Sequence, residues 1–151
     1  MSQNVDWQVK AFADLTTKEL YDLLQLRQEV FVVEQTCPYL DADGLDDQAF
    51  HLIGRDQQQH IVAYARLFLP TTAQPYSRIG RVISAGKVRR QGLGQELMRR
   101  AIEWCQTQAA DAPIRLGAQV YLRAFYQSFG FKEISDEYLE DDIPHVDMER
   151  D

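Results

Sequence analysis

Arg89-Arg90-Gln91-Gly92-Leu93-Gly94 separates two segments of different periodicity. Ahead of it, Arg78-Ile79-Gly80-Arg81-Val82-Ile83-Ser84 is short, β-branched and apolar, the profile of a buried strand. Behind it, Leu93, Leu97, Met98, Ala101, Ile102 and Cys105 recur at helical spacing. The first N–H groups of a helix have no intrahelical partner, and the helix dipole favours negative charge there. Glycine removes the side chain that would hold a phosphate away from those groups. Lys87, Arg89 and Arg90 add cationic side chains. The stretch reads as a pyrophosphate cradle at a strand–helix junction. A junction whose glycines serve only tight packing has the same residues, and the turn alone leaves both readings open.

Working outward, Trp7 to Phe12 alternates as a first strand, with Trp7, Val9 and Ala11 on one face. A helix follows, with Thr16 as N-cap, Glu19 as its capping-box partner and Leu15 and Leu20 as a hydrophobic staple. It runs to about Glu34. Arg27 falls on or beside its apolar stripe and reads as a snorkelling side chain or, alternatively, a site residue. Gln35 to Asp47 is a loop holding Asp41, Asp43, Asp46 and Asp47; its spacing does not fill the glycine and glutamate positions of a calcium loop. A solvated loop bordering a substrate entrance is the expectation there.

Ala49 to Arg55 and Ile61 to Leu69 form a hairpin through Asp56-Gln57-Gln58-Gln59. After the central strand, turn and helix come a strand at Ile114 to Val120 and a short helix at Tyr121 to Phe129 closed by Gly130. A strand follows from Phe131, then an acidic loop (Asp136 to Asp142) and a last strand from His145 to Glu149. This order predicts an α+β single domain over residues 1–151, with a mixed, mostly antiparallel sheet of about seven strands flanked by helices. A doubly wound dinucleotide fold is excluded, because the glycine turn follows the fourth strand and G-x-G-x-x-G is absent. G-x-x-x-x-G-K-[ST] is absent too.

The 151 residues carry a formal charge of −7, which disfavours nucleic acid as a partner. No long apolar span or signal-like N-terminus is present, so a membrane is not expected and a cytoplasmic location is. The two cysteines, Cys37 and Cys105, have neither metal-ligand nor disulfide-scaffold spacing, and no metal is expected.

The Arg89-x-x-Gly92-x-Gly94 turn is followed about thirty residues on by Phe125-Tyr126-Gln127-Ser128-Phe129-Gly130-Phe131. In this order and strand context the pair resembles the GNAT superfamily of acyl-CoA N-acyltransferases, over essentially the whole chain. Leu26 to Gln35, Cys37-Pro38-Tyr39, Asp43-Gly44, Tyr64 to Leu67 and Ile143-Pro144-His145 are similar to its ElaA-type branch. The resemblance implies the GNAT fold, acetyl-CoA as cosubstrate and a small-molecule or peptidyl amine as acceptor. It implies that Val82, Ile83 and Ser84 pair with the pantetheine arm. Arg89, Arg90, Gln91, Gly92, Leu93 and Gly94 would offer N–H groups to the pyrophosphate. Tyr126 falls where many members place the phenol that protonates the CoA thiolate. Gln119 stands where the family often has asparagine, so its cofactor contact would be made by a longer amide. The oligomeric state is not fixed by the sequence; a homodimer is compatible with it.

Acyl transfer also needs a proton acceptor for the amine. Glu34, at the end of the first helix, and His145, beginning the last strand, are the candidates; each is also an ordinary residue for its position. Tyr126, flanked by Phe125 and Phe129, equally fits a core. The acidic loops would suit a cationic acceptor, or are simply solvated; Arg66 and Arg81 would suit an acceptor carboxylate. Two other functions compete. One is an acyl-homoserine-lactone synthase, which Arg27-x-x-Val30-Phe31 resembles; the other is a non-catalytic acyl-CoA-binding module.

Overall fold

The computed structural model describes residues 4–84 and 92–151. Its sheet has eight strands. Six run side by side as β1 (Asp6–Ala11), β2 (Phe50–Arg55), β3 (Ile61–Phe68), β4 (Ser77–Ser84), β5 (Ile114–Gln119) and, beyond β5, β8 (Ile143–Arg150). Both β6 (Lys132–Glu133) and β7 (Tyr138–Glu140) pair with β8. All pairings are antiparallel except β4 with β5. The sequence reading missed β7, which lies inside the expected acidic loop, and started β8 two residues late. The turn between them is Asp141-Asp142, both at positive φ, a hairpin geometry that usually announces itself through glycine or asparagine.

Helix α1 (Thr17–Arg27) starts at the expected capping box. The Thr16 hydroxyl accepts from the Glu19 N–H at 3.0 Å, and Glu19 Oε1 accepts from the Thr16 N–H at 2.9 Å. Such a cap contributes about 1 kcal/mol. Glu19 also receives Lys10 and Arg55, which tie the helix start to β1 and β2. The helix continues as a wider π-type turn, Gln28–Glu34. Its apolar side, with Leu15, Leu20 and buried Leu23, packs on Ile53, Tyr64 and Ile83.

Helix α2 (Leu93–Gln108) covers the opposite face of the sheet. Its buried residues are the six expected from the periodicity, Leu93 to Cys105, and they pack against Leu52, Ala63, Leu67, Ile79, Ile114 and Leu116. Burying Leu97 or Met98 completely stabilises the fold by roughly 1.5–3 kcal/mol each. Helix α3 (Arg123–Gln127), preceded by one tight turn at Val120–Leu122, joins the same cluster through Tyr126. No described helix is long and apolar enough to cross a membrane.

Candidate active site

Strands β4 and β5 pair at only two positions, Ser77 with Ile114 and Arg78 with Arg115. Beyond them the strands part. A bulge in β4 accompanies this. From Tyr64 to Arg66 on β3 is two residues, while their partners Ile83 and Gly80 are three apart, and Arg81 between them has φ +50°. Two strand residues four positions apart normally share a face. Here Ile79 packs on the α2 side and Ile83 on the α1 side, so the extra residue turns the end of β4 over. The gap between the strands opens into a cleft of about 780 Å³.

Val82, Ile83, Ser84, Gly94 and Gln119 all line this cleft. Of the expected cradle, Arg89, Arg90 and Gln91 lie outside the described residues. Gly92 caps α2 at φ +74°, a conformation that itself favours glycine. Leu93 turns its side chain into the core. A Cβ at Gly94 would meet Ser84 Oγ and the Phe125 ring no closer than 3.9 Å, so packing does not demand glycine there. Gly94, the first turn of α2 and the parted edge of β4 together fit an extended ligand ending in phosphates.

Tyr126 is 6% exposed and lines the cleft from α3. Edge-on packing against Phe125 (5.2 Å) and Phe131 (6.3 Å) fixes its ring. Desolvation first, and Tyr121 second, push its phenol up to about 12, so it is protonated at neutral pH. Tyr126 is thus both a core residue and a lining residue of the cleft. His145 faces Gln119 across β5 and β8 and stacks on Tyr138 at 6.0 Å. Its Nδ1 lies 2.7 Å from the Ile143 carbonyl, which can only accept, so Nδ1 carries a hydrogen. In the neutral ring Nε2 then offers a lone pair, 3.5 Å from Glu140 Oε2. Glu34, the last residue of the π-type turn, lines the cleft as well. All three candidate proton-transfer residues thus border one cavity.

The acceptor-side loop differs from its expectation. Arg27 does not snorkel; it is fully buried, with Nε 2.8 Å from Asp41 Oδ2 and Nη1 2.7 Å from Asp46 Oδ1. Asp41 also accepts from Arg81 Nε at 2.8 Å. Arg66 forks onto Asp43 with two bonds of 2.8 Å and reaches Asp46 at 3.0 Å. Three arginines and three aspartates so neutralise one another, which removes Arg66 and Arg81 as ready acceptor-carboxylate ligands and Asp41, Asp43 and Asp46 as a solvated acidic rim. The Arg66 bonds hold the Asp43 carboxyl well below the usual carboxylate range, against the opposing effect of burial. For Asp46, burial works in the opposite direction and is outweighed by Arg27 and Arg66.

His51, to which the sequence assigned no role, props this network from beneath. Its Nε2 is 2.9 Å from the Asp46 carbonyl and therefore donates, leaving Nδ1 to accept from the Tyr64 hydroxyl at 2.6 Å. Burial lowers its pKa and keeps it neutral. Its place in the apolar run Phe50-His51-Leu52-Ile53 marks His51 as buried; nothing in the sequence names its partners. Across the cleft, the Tyr138 hydroxyl donates to Asp147 at 2.5 Å and lies over Gly117, where a Cβ would come within 3.1 Å of it. The two rims touch: Tyr39 donates to Asp142 at 2.9 Å, and Cys37 Sγ to the Asp141 carbonyl at 3.5 Å.

Residues 13–151 match the family model of the acetyltransferase (GNAT) domain. The protein ElaA of Escherichia coli (strain K12) is 43% identical over 148 residues, 97% of this chain and 96% of that protein. The crystal structure of Escherichia coli ElaA superposes with a TM-score of 0.91 at 42% identity, covering 98% of this chain and 100% of the other. An acyl-CoA N-acyltransferase from Pseudomonas aeruginosa superposes with a TM-score of 0.94 at 47% identity, with the same coverage. The acyl-homoserine-lactone synthase LasI shares the fold alone, at 13% identity and a TM-score of 0.78. With the parted strands, the glycine-opened helix and the near full-length matches in agreement, the chain belongs to the GNAT family of acyl-CoA-dependent N-acyltransferases, in its ElaA-type branch.

Proposed function

We propose that the protein transfers an acetyl group from acetyl-CoA to a primary amine on a small-molecule or peptidyl acceptor, by direct attack. The observation that carries this is the convergence of Val82–Ser84, Gly94, Tyr126 and His145 on the one cleft between β4 and β5. The N–H groups along the parted end of β4 pair with the pantetheine arm, and one of them steadies the oxyanion. The first turn of α2 and the preceding arginines take the pyrophosphate. The neutral amine attacks the thioester carbon. A C–N bond forms, the C–S bond breaks, and its electron pair stays on sulfur. His145 Nε2 or Glu34, directly or through water, takes the proton that the nitrogen loses. The Tyr126 hydroxyl, which its raised pKa keeps protonated at neutral pH, gives its proton to the thiolate and recovers one from solvent.

Calorimetry with acetyl-CoA, followed by a screen of amines for thiol release, tests the reading. The absence of both calorimetric heat and a thermal shift with acetyl-CoA would overturn it. The synthase reading draws on the shared fold and on Arg27-x-x-Val30-Phe31, and binding of S-adenosylmethionine distinguishes it. A non-catalytic module would be indifferent to Tyr126→Phe and lose binding on Gly92→Glu.

A further inference from the structure

We propose that the acceptor carries, besides its amine, an anionic group (a carboxylate or a phosphate) that Arg78 binds. The proposal rests on the N-acyltransferase reading and concerns its acceptor half. Four arginines line the cleft: Arg66, Arg78, Arg81 and Arg115. Arg66 and Arg81 are consumed by Asp41, Asp43 and Asp46, and Arg115 by Glu149 at 2.7 Å. Among the described residues, Arg78 is the cleft arginine with no carboxylate at ion-pair distance.

Arg78 is exposed between buried Ser77 and Ile79, so strand alternation sets its side chain on the sheet face away from α2, the side where Gly117 and the Tyr138 hydroxyl also lie. It stands at the last paired position before β4 and β5 part, beside Arg115. Its guanidinium lies 6.0 Å from the Phe68 ring centroid, and Arg66 lies 5.1 Å from the same ring. An aromatic seat of this kind holds a guanidinium without using its donors, which stay available for a bidentate anion. Glu140 lines the cleft beside His145, its Oε2 3.5 Å from Nε2. Arg78 and Glu140 orient a bipolar molecule along the cleft, with its amine at His145 and its anion at Arg78. Arg78 pairs with Arg115 and His145 with Gln119, four residues further along β5, about 13 Å on an extended strand. The acceptor's amine and anion are accordingly separated by several bonds.

The test compares matched acceptors with wild type and Arg78→Gln. One pair is the dipeptide Gly-Lys and its C-terminal amide; the other is glucosamine 6-phosphate and glucosamine. The expected result is a kcat/KM at least tenfold higher for the charged member of one pair, which identifies the anion as carboxylate or phosphate. In Arg78→Gln the acceptor KM rises about tenfold and the preference collapses, while the KM for acetyl-CoA is unchanged. Equal kcat/KM within both pairs, or a preference that survives Arg78→Gln, overturns the proposal. So does absence of calorimetric binding by both charged members in the presence of CoA. If acetyl-CoA itself gives no heat, the parent reading fails instead.

Discussion

On one side of the cleft, the proposed acyl-CoA residues come from a strand, the turn that follows it and the helix after that, with α3 added from about thirty residues on. On the other side, Arg27 finds its aspartates 14 and 19 residues away, and Arg81 reaches Asp41 across 40. The first wall offers backbone donors along the parted end of β4 and at the start of α2, which suit a ligand of fixed chemistry. The second relies on long-range ion pairs that hold a loop against β3 and β4. Changes to the first wall should therefore damage function with little loss of stability, and changes to the second should do the reverse.

The largest expected effect tests the second wall. Arg27→Met leaves Asp41 and Asp46 short of a buried partner, and should cost about 3–5 kcal/mol in urea unfolding. A loss below about 1 kcal/mol would mean that the loop is held by something other than this network. Next is the first wall. Tyr126→Phe should lower kcat about 100-fold or more with acetyl-CoA affinity within about twofold and stability nearly unchanged. Unchanged turnover in an active preparation would remove the thiolate-protonating role. A control outside both walls, Thr16→Ala, should cost about 1 kcal/mol by thermal or urea denaturation and leave kinetic constants alone.

The smallest effect is in the pH dependence of stability. His51, Asp43, Asp46 and Glu19 all have lowered folded-state pKa values, so the unfolded chain takes up their protons first. The stability they contribute is complete above their unfolded values, roughly 6.5 for histidine and about 4 for the carboxylates. Denaturation midpoints should hold steady above neutrality, decline gently below about pH 6.5 and fall steeply below about pH 4. His51→Gln should remove the gentle phase and keep the steep one.

The same contrast explains what could be read from residues alone. The capping box at Thr16, the six buried positions of α2 and the glycine-opened turn are written in spacings of three to seven residues, within reach of local periodicity. Arg27 looked like an amphipathic surface residue because its partners depend on how β3 and β4 fold back over the loop. Asp41, Asp43 and Asp46 of that loop look solvated in the sequence for the same reason, whereas Asp47 is exposed as expected. Strand β7 escaped notice because Asp141-Asp142 adopts a hairpin turn without the usual glycine. In the sequence Arg78 is one more strand residue; its significance appears only once the other cleft arginines are seen to be taken.

The two-position ladder between β4 and β5 has a consequence for amide hydrogen exchange. Past Arg78 and Arg115, the inner edges of both strands have no ladder partner in each other, although each strand is paired on its outer side. Among residues 79–84 and 116–119, the amides that point into the gap should therefore exchange quickly in deuterated buffer, next to slowly exchanging neighbours bonded to β3 or β8. Acetyl-CoA lying along the β4 edge should slow the β4 set and leave most of the β5 set fast. The pattern would map, residue by residue, how far the cosubstrate reaches into the sheet.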